Sequence, residues 1–216
     1  MSGSGLYERR GKRLLDLAGA SAMAIVAAPL AGAAAAVLWR TQGRPLLFTQ
    51  TRVGRDGRQF TIYKFRTMVE DAAAQGAGMW FDRDDPRITP AGRLLRATSI
   101  DELPQIWNIL RGDMSLVGPR PKPPEIVNRY LSHYRPTLRV RPGLTCLAAI
   151  EGRNTLRRSQ MIAADQRYVA RVSLVGDLAI LARTVPVVLF RLGFHAEDES
   201  EEFVEDVPAD GSAQPA

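Results

Sequence analysis

The chain holds a single cysteine, Cys146, among 216 residues. An intrachain disulfide is therefore excluded, which suits a reducing compartment without establishing one. Cys146 sits in the apolar run Leu144–Ile150 and reads as a small buried residue rather than a nucleophile. Two histidines, His133 and His195, do not make a zinc site with one cysteine. No internal repeat is visible, and no helix-turn-helix, zinc or RNA-recognition signature. Lysine and arginine are missing from residues 196–216, which carry Glu197, Asp198, Glu199, Glu201, Glu202, Glu205, Asp206 and Asp210. The formal net charge is +6; with those eight acids set aside, residues 1–195 carry +14. The body is thus strongly basic and implies an anionic partner: phosphates, anionic lipid or nucleic acid. Nucleic acid is disfavoured, since no module that reads it is present. The acidic tail lacks a packable face and is expected to be disordered.

Charge of either sign is also missing from Leu17 to Trp39, a run of 23 residues. That is enough for a straight helix to cross a bilayer. A signal peptide is disfavoured, because the run exceeds the usual apolar core of such a leader. A simple span would leave Arg9, Arg10, Lys12 and Arg13 on one side and Arg40, Arg44, Arg52, Arg55 and Arg58 on the other. Positive charge on both flanks conflicts with the positive-inside rule. The preferred reading is a re-entrant helix, broken near Pro29, that returns to the face it entered. Both basic flanks then meet anionic headgroups. A spanning helix stays open.

Downstream, Leu46–Gln50 and Gln59–Tyr63 read as strands joined by a turn at Val53–Gly57. Glu70–Gln75 reads as helical, and Asp82–Pro86 as a polar loop. Thr89 caps a helix with Pro90 at its first position. Another helix follows Pro123-Pro124 to about Tyr134, then a basic loop over Arg135–Pro142. Leu144–Ile150 reads as a strand, and Ser159–Ala170 and Ser173–Leu192 as helices. The last is apolar, contains Pro186, and either lies in the membrane interface or caps the core.

The densest chemistry lies in Thr98–Pro121, TSIDELPQIWNILRGDMSLVGPRP. Ser99-Ile100-Asp101-Glu102 fits a capping box, with Ser99 as N-cap. The spacing of Leu103, Ile106, Trp107 and Leu110 predicts one buried helix face. On such a helix Asp101 and Glu102 diverge by about 100°, so they would not share a proton. One is free to act as nucleophile or metal ligand while the other orients it. Arg120 stands in a Gly-Pro-Arg-Pro turn. Lys64, Arg66, Arg96, Arg141 and Arg153 are further cations, several beside Gly or Pro turns where loops present groups to a ligand. Arginine's fork suits bidentate phosphate contact. Taken singly, each also reads as an ordinary solvated charge.

DELPQIWNILRGDMSLVGPRP at residues 101–121, FTIYKFRTM at 60–68 and KRLLDL at 12–17 together resemble bacterial sugar transferases, the monotopic polyprenyl-phosphate phosphoglycosyl transferases. The resemblance covers about Lys12 to Phe190. It implies an α+β, mostly helical membrane protein with a re-entrant helix broken at Pro29, a small β-hairpin and amphipathic interfacial helices. It implies three regions: a membrane helix over 1–40, a cytosolic-face catalytic domain over 41–195, and the acidic tail. The implied activity loads a hexose-1-phosphate from a UDP-sugar onto polyprenyl (undecaprenyl) phosphate at the bacterial inner membrane. Asp101 would form a phosphosugar-aspartyl intermediate and release UMP, Glu102 would assist, and Mg²⁺ would bind at Asp101 and Glu102. Lys64, Arg66, Arg96, Arg120, Arg141 and Arg153 would contact phosphates. Asp165 and Tyr168, an i, i+3 pair, keep the family spacing and read equally as structural or substrate-binding. Relatives usually carry a break at Ser-Pro, here Ala28-Pro29, and a Trp and a Gln where this chain has Leu147 and Ala149. The chain reads as a minimal catalytic form, with later glycosyltransferases as partners and the oligomeric state open. The alternative from another class is a non-catalytic membrane scaffold of the same fold.

Overall fold

A computed structural model describes residues 5, 7–72, 85–152, 155–190, 207 and 210. A π-helical turn at Tyr7–Gly11 leads into α1 (Lys12–Gln42). Helix α1 is long and apolar enough to cross a membrane, and it runs through Pro29. At 1.5 Å per residue it is about 46 Å long. One face seats it on the body at both ends. Lys12, Asp16 and Ala20 are buried near its start, and Ala34 and Leu38 near its end. Ala28, Pro29 and Leu30 in the middle are all exposed. Ile25 and Val26 are 77% and 78% exposed, so the central stretch presents bare hydrocarbon.

The root of α1 is polar and buried. Asp16 Oδ1 accepts from Ser115 Oγ at 2.7 Å and from the Leu116 amide at 2.9 Å. Arg13 donates to the carbonyls of Ile109 and Leu110, at 2.6 and 2.8 Å. At the far end the Gln42 side chain donates to Thr89 Oγ1 at 2.8 Å. Gly43, at φ 66°, closes the helix there.

Strands β1 (Leu47–Val53) and β2 (Gln59–Phe65) form the expected hairpin, in register from Leu47↔Phe65 to Val53↔Gln59. Asp56 and Gly57 turn it with left-handed backbone. Helix α2 (Pro90–Ala97) starts as the sequence predicts: Thr89 Oγ1 accepts from the Gly92 amide at 3.0 Å, with Pro90 in the first turn. Then follow a 3₁₀ turn at Ile100–Glu102, α3 (Gln105–Arg111) and β3 (Ser115–Val117). After α4 (Pro124–Arg129) and α5 (Leu131–Tyr134) comes a 3₁₀ turn at Arg135–Arg139, then β4 (Gly143–Thr145). Strands β3 and β4 pair in parallel. Helices α6 (Leu147–Glu151), α7 (Arg158–Ala170) and α8 (Leu174–Leu189) complete the described fold.

Three expectations are corrected. Ser99 has left-handed backbone (φ 57°) and makes no side-chain cap, so the predicted capping box does not form. The buried face of α3 is carried by Ile106 and Ile109, while Trp107 is 56% exposed. The predicted strand over Leu144–Ile150 ends at Thr145 and turns into α6, whose alanines favour helix. The helical reading of Glu70–Gln75 is met by a 3₁₀ turn at Glu70–Ala72, and residues 73–75 lie outside the described residues. Most of the acidic tail also lies outside them. Of its two described residues, Val207 is buried with Ile126 and Tyr130, and the Asp210 carboxylate accepts from the Ser132 amide.

Candidate functional site

The site forms where β2, the 3₁₀ turn before α3 and the loop after β3 meet. Buried Asn108 on α3 fastens two of these pieces. Its side chain donates to Thr61 O at 2.7 Å and accepts from the Tyr63 amide at 3.2 Å. That fixes the end of β2, and so Lys64, beside the carboxylate pair. The third piece is the Gly118-Pro119-Arg120-Pro121 turn. The Gly118 amide donates to Thr145 O at 3.0 Å, and the Gly143 amide to Pro119 O at 2.9 Å. A Cβ on Gly118 would fall 2.3 Å from Arg141 O, so only glycine fits that crossing.

Asp101 and Glu102 have different surroundings. Glu102 Oε1 accepts from Lys64 Nζ at 2.8 Å and from Arg120 Nη2 at 2.9 Å. Burial favours the neutral acid, but the charges of Lys64 and Arg120 outweigh it and hold Glu102 well below the usual carboxylate range. Asp101 is buried, and burial pushes its carboxyl up to about 6. The neighbouring Glu102 charge adds to that rise, while Lys64, Arg96 and Arg120 oppose it. The pair is thereby divided. Glu102 is a permanent anion that locks two cations in place. Asp101 is a more basic carboxylate, still largely ionised at neutral pH. Such a group beside fixed cations is equipped to attack an electrophilic centre that carries negative charge.

The remaining sequence-predicted residues divide. Lys64, Arg96 and Arg120 gather around the pair, Arg96 donating from Nε to Thr67 Oγ1 at 2.8 Å. Arg66 is directed away from the pair. Its Nη2 reaches the carbonyls of Gln42 and Gly43 at 2.6 and 3.3 Å, where a cation suits the negative end of α1. Arg141 donates from Nε to Gly112 O at 2.8 Å. Arg153 lies outside the described residues. Asp165 on α7 is buried, which pushes its carboxyl up to about 7 with Lys122 and Arg120 opposing, and its Oδ1 takes no hydrogen bond among the described residues. Tyr168 Oη lies 2.8 Å from Asp177 Oδ1 and 3.1 Å from Val117 O, so it is committed to the protein.

Sequence reasoning missed Lys122 and gave Arg52 only as a flanking charge. Arg52 Nη1 donates to Pro121 O at 3.3 Å, and the Val53 amide to Lys122 O at 3.0 Å, which joins the hairpin to the arginine turn. Burial first, and Arg120 nearby second, lower Arg52 to about 10. Lys122 is lowered by burial, with Asp165 opposing. The signal was present in the tight basic spacing of GPRPK. Among the described residues no group of three or more His, Cys, Asp or Glu is placed to hold a metal. Asp101 and Glu102 are two hard oxygen donors, of which Glu102 Oε2 takes neither cation bond. That set fits a magnesium ion completing its shell with water and substrate phosphate.

The site is a raised carboxylate among fixed cations, on a body carrying a long apolar helix. A family model described as "Bacterial sugar transferase" matches residues 7–191. The chain belongs to the bacterial sugar transferase family. It is 41% identical over 196 residues to a protein named "Galactosyl transferase CpsE" from Streptococcus agalactiae, covering 84% of this chain and 43% of that one. It is 38% identical over 199 residues to the "Undecaprenyl-phosphate galactose phosphotransferase" of Salmonella typhimurium, covering 84% and 41%. With the "UDP-glucose:undecaprenyl-phosphate glucose-1-phosphate transferase" of Caulobacter vibrioides the identity is 43% over 188 residues, covering 82% and 69%. The chain therefore spans about two fifths of the length of the first two.

Proposed function

We propose that the chain transfers a hexose-1-phosphate from a UDP-sugar to a polyprenyl phosphate, releasing UMP. The observation that carries this reading is the divided carboxylate pair: Asp101 raised toward neutrality beside Glu102, which is gripped by Lys64 and Arg120. An Asp101 oxygen attacks the phosphorus that bears the sugar. The bond from that phosphorus to the bridging oxygen breaks, and its electron pair leaves with UMP. The phosphosugar is then held on Asp101 as an acyl phosphate. An oxygen of polyprenyl phosphate attacks the same phosphorus, the bond to Asp101 breaks, and the carboxylate is restored. Lys64, Arg96 and Arg120 hold the charge that develops on the phosphoryl oxygens. Asp101 and Glu102 would hold Mg²⁺, which when bound neutralises part of the diphosphate charge.

The second substrate is a lipid, and the exposed middle of α1 supports a reaction at the membrane surface. Both ends of that helix pack on one body, which favours a re-entrant helix over a spanning one and the cytosolic face of a bacterial inner membrane as its place. The relatives' names include exopolysaccharide production, so the product would feed polysaccharide or glycoconjugate assembly by later glycosyltransferases. The test is nucleoside monophosphate release from a panel of UDP-sugars with Mg²⁺ and undecaprenyl phosphate. Wild type should release UMP from at least one donor, and Asp101→Asn should not. No release by folded, membrane-bound wild type would sink the reading and favour a non-catalytic scaffold.

A further inference from the structure

The turn that carries Arg120 is held from outside the site. Val117 O, three residues before Arg120, receives Lys12 Nζ at 2.8 Å and lies 3.1 Å from Tyr168 Oη. Asp177 on α8 gathers the donors. Its carboxylate takes Lys12 Nζ at 2.7 Å, Tyr7 Oη at 2.5 Å and Tyr168 Oη at 2.8 Å. Val117 and Asp177 are fully buried, and Lys12 and Tyr168 nearly so. Packing alone would be served by apolar side chains. A buried ion pair with two hydroxyls is worth keeping mainly where it fixes one arrangement among several.

We propose that Lys12, Tyr168 and Asp177 are positioning residues that set the Arg120 turn, making the root of the membrane helix a working part of the transferase site. Lys12 and Tyr168 hold the carbonyl at the start of the turn. Gly118 and Pro119 then cross β4, hydrogen-bonded to Thr145 and Gly143, so the direction in which Arg120 leaves the backbone is set. Arg120 then meets Glu102 Oε1 at 2.9 Å. Because Lys12 opens the long apolar helix, that helix and the arginine move as one unit. This assignment rests on the transfer reading and takes Tyr168 out of direct substrate contact.

The experiment uses the full chain in lipid nanodiscs and the variant Tyr168→Phe, which leaves Asp177 paired with Lys12 and Tyr7. Two readouts are taken: deuterium exchange at the amides of residues 117–122, and UMP release in a double-mutant cycle with Arg120→Ala. The expected results are faster exchange in that turn with α1 unchanged, and turnover lowered about five- to tenfold, as for one hydrogen bond. In the Arg120→Ala background, Tyr168→Phe should cost nothing further. Lys12→Met with Asp177→Asn removes both buried charges together and should reproduce the loosened turn. Unchanged exchange, or losses that simply add in the cycle, would overturn the assignment. If wild type releases no UMP, the transfer reading fails and the exchange result alone decides whether the turn is clamped.

Discussion

Gly118→Ala tests whether the arginine turn is as tightly placed as its geometry requires. The added methyl would lie 2.3 Å from Arg141 O, 2.9 Å from Gly143 N and 3.1 Å from Pro142 C. All three are backbone atoms, so no side chain can swing aside. Ordinary contact begins near 3.4 Å, and the strands must separate by roughly 1 Å. The hydrogen bonds from Gly118 N to Thr145 O and from Gly143 N to Pro119 O flank this point and would both lengthen. Overpacking together with the loss of one such bond costs about 2–4 kcal/mol. Arg120 is two residues along, and a misplacement of about 1 Å at a reacting centre costs on the order of a hundredfold in rate. The assay is thermal melting together with UMP release by detergent- or nanodisc-embedded protein. Gly32→Ala is the control, since a Cβ on Gly32 meets nothing within 4 Å, and it should melt no lower than wild type. Wild-type melting and turnover in Gly118→Ala would refute the close crossing of β3 and β4 and the placement of Arg120 built on it.

Because Asp101 must be ionised to attack and its carboxyl is pushed up to about 6, kcat/KM should fall about tenfold per unit below pH 6 and level off above it. Glu102→Gln removes a like charge and leaves Lys64 and Arg120 to act on Asp101, so that acid limb should move to lower pH; a limb that moves upward would refute the sign. Asn108→Ala leaves the Tyr63 amide and Thr61 carbonyl without their partner, so stability should drop by about 2 kcal/mol in denaturant titration. Removing residues 1–42 to make a soluble body should abolish turnover even with a water-soluble acceptor, and an active truncated body would refute the structural role of α1 in the site.

Much of the fold was legible because its signals are local. Thr89-Pro90 states a helix start, and the alternating run before Lys64 with Gly54 and Gly57 states a hairpin. The readings that failed depend on tertiary context. Ser99 has the right neighbours for a capping box, yet its backbone is left-handed where α2 gives way to the 3₁₀ turn, and its side chain makes no cap. Trp107 falls on the apolar spacing but faces outward, because polar Asn108 takes the inner position to pin β2. Of the cations, Lys64 and Arg120 were legible in their motifs, whereas the spacing of Arg66 and Arg141 did not reveal that backbone carbonyls engage them. Charge type is written in the sequence; which way an arginine leaves the chain is decided by turns.

The sequence KFR shows what that decision accomplishes. Lys64 reaches Glu102, Phe65 packs on Ala34 and Leu38, and Arg66 binds the carbonyls that end α1. Three consecutive residues thus join the carboxylate pair to the far end of the long helix. The second cation on Glu102, Arg120, stands on the turn whose start is gripped by Lys12 at the near end of that helix. The two charges that neutralise Glu102 are therefore rooted at opposite ends of one apolar element. If α1 were only an anchor, neither end would need to touch the site, and a flexible linker after Gln42 would serve. Instead both ends are fixed by buried or carbonyl-directed cations, while Ile25, Val26, Ala28, Pro29 and Leu30 in the middle are exposed. A shift at either end of α1 would therefore be felt at Lys64 or Arg120, and through Glu102 in the charge that Asp101 experiences.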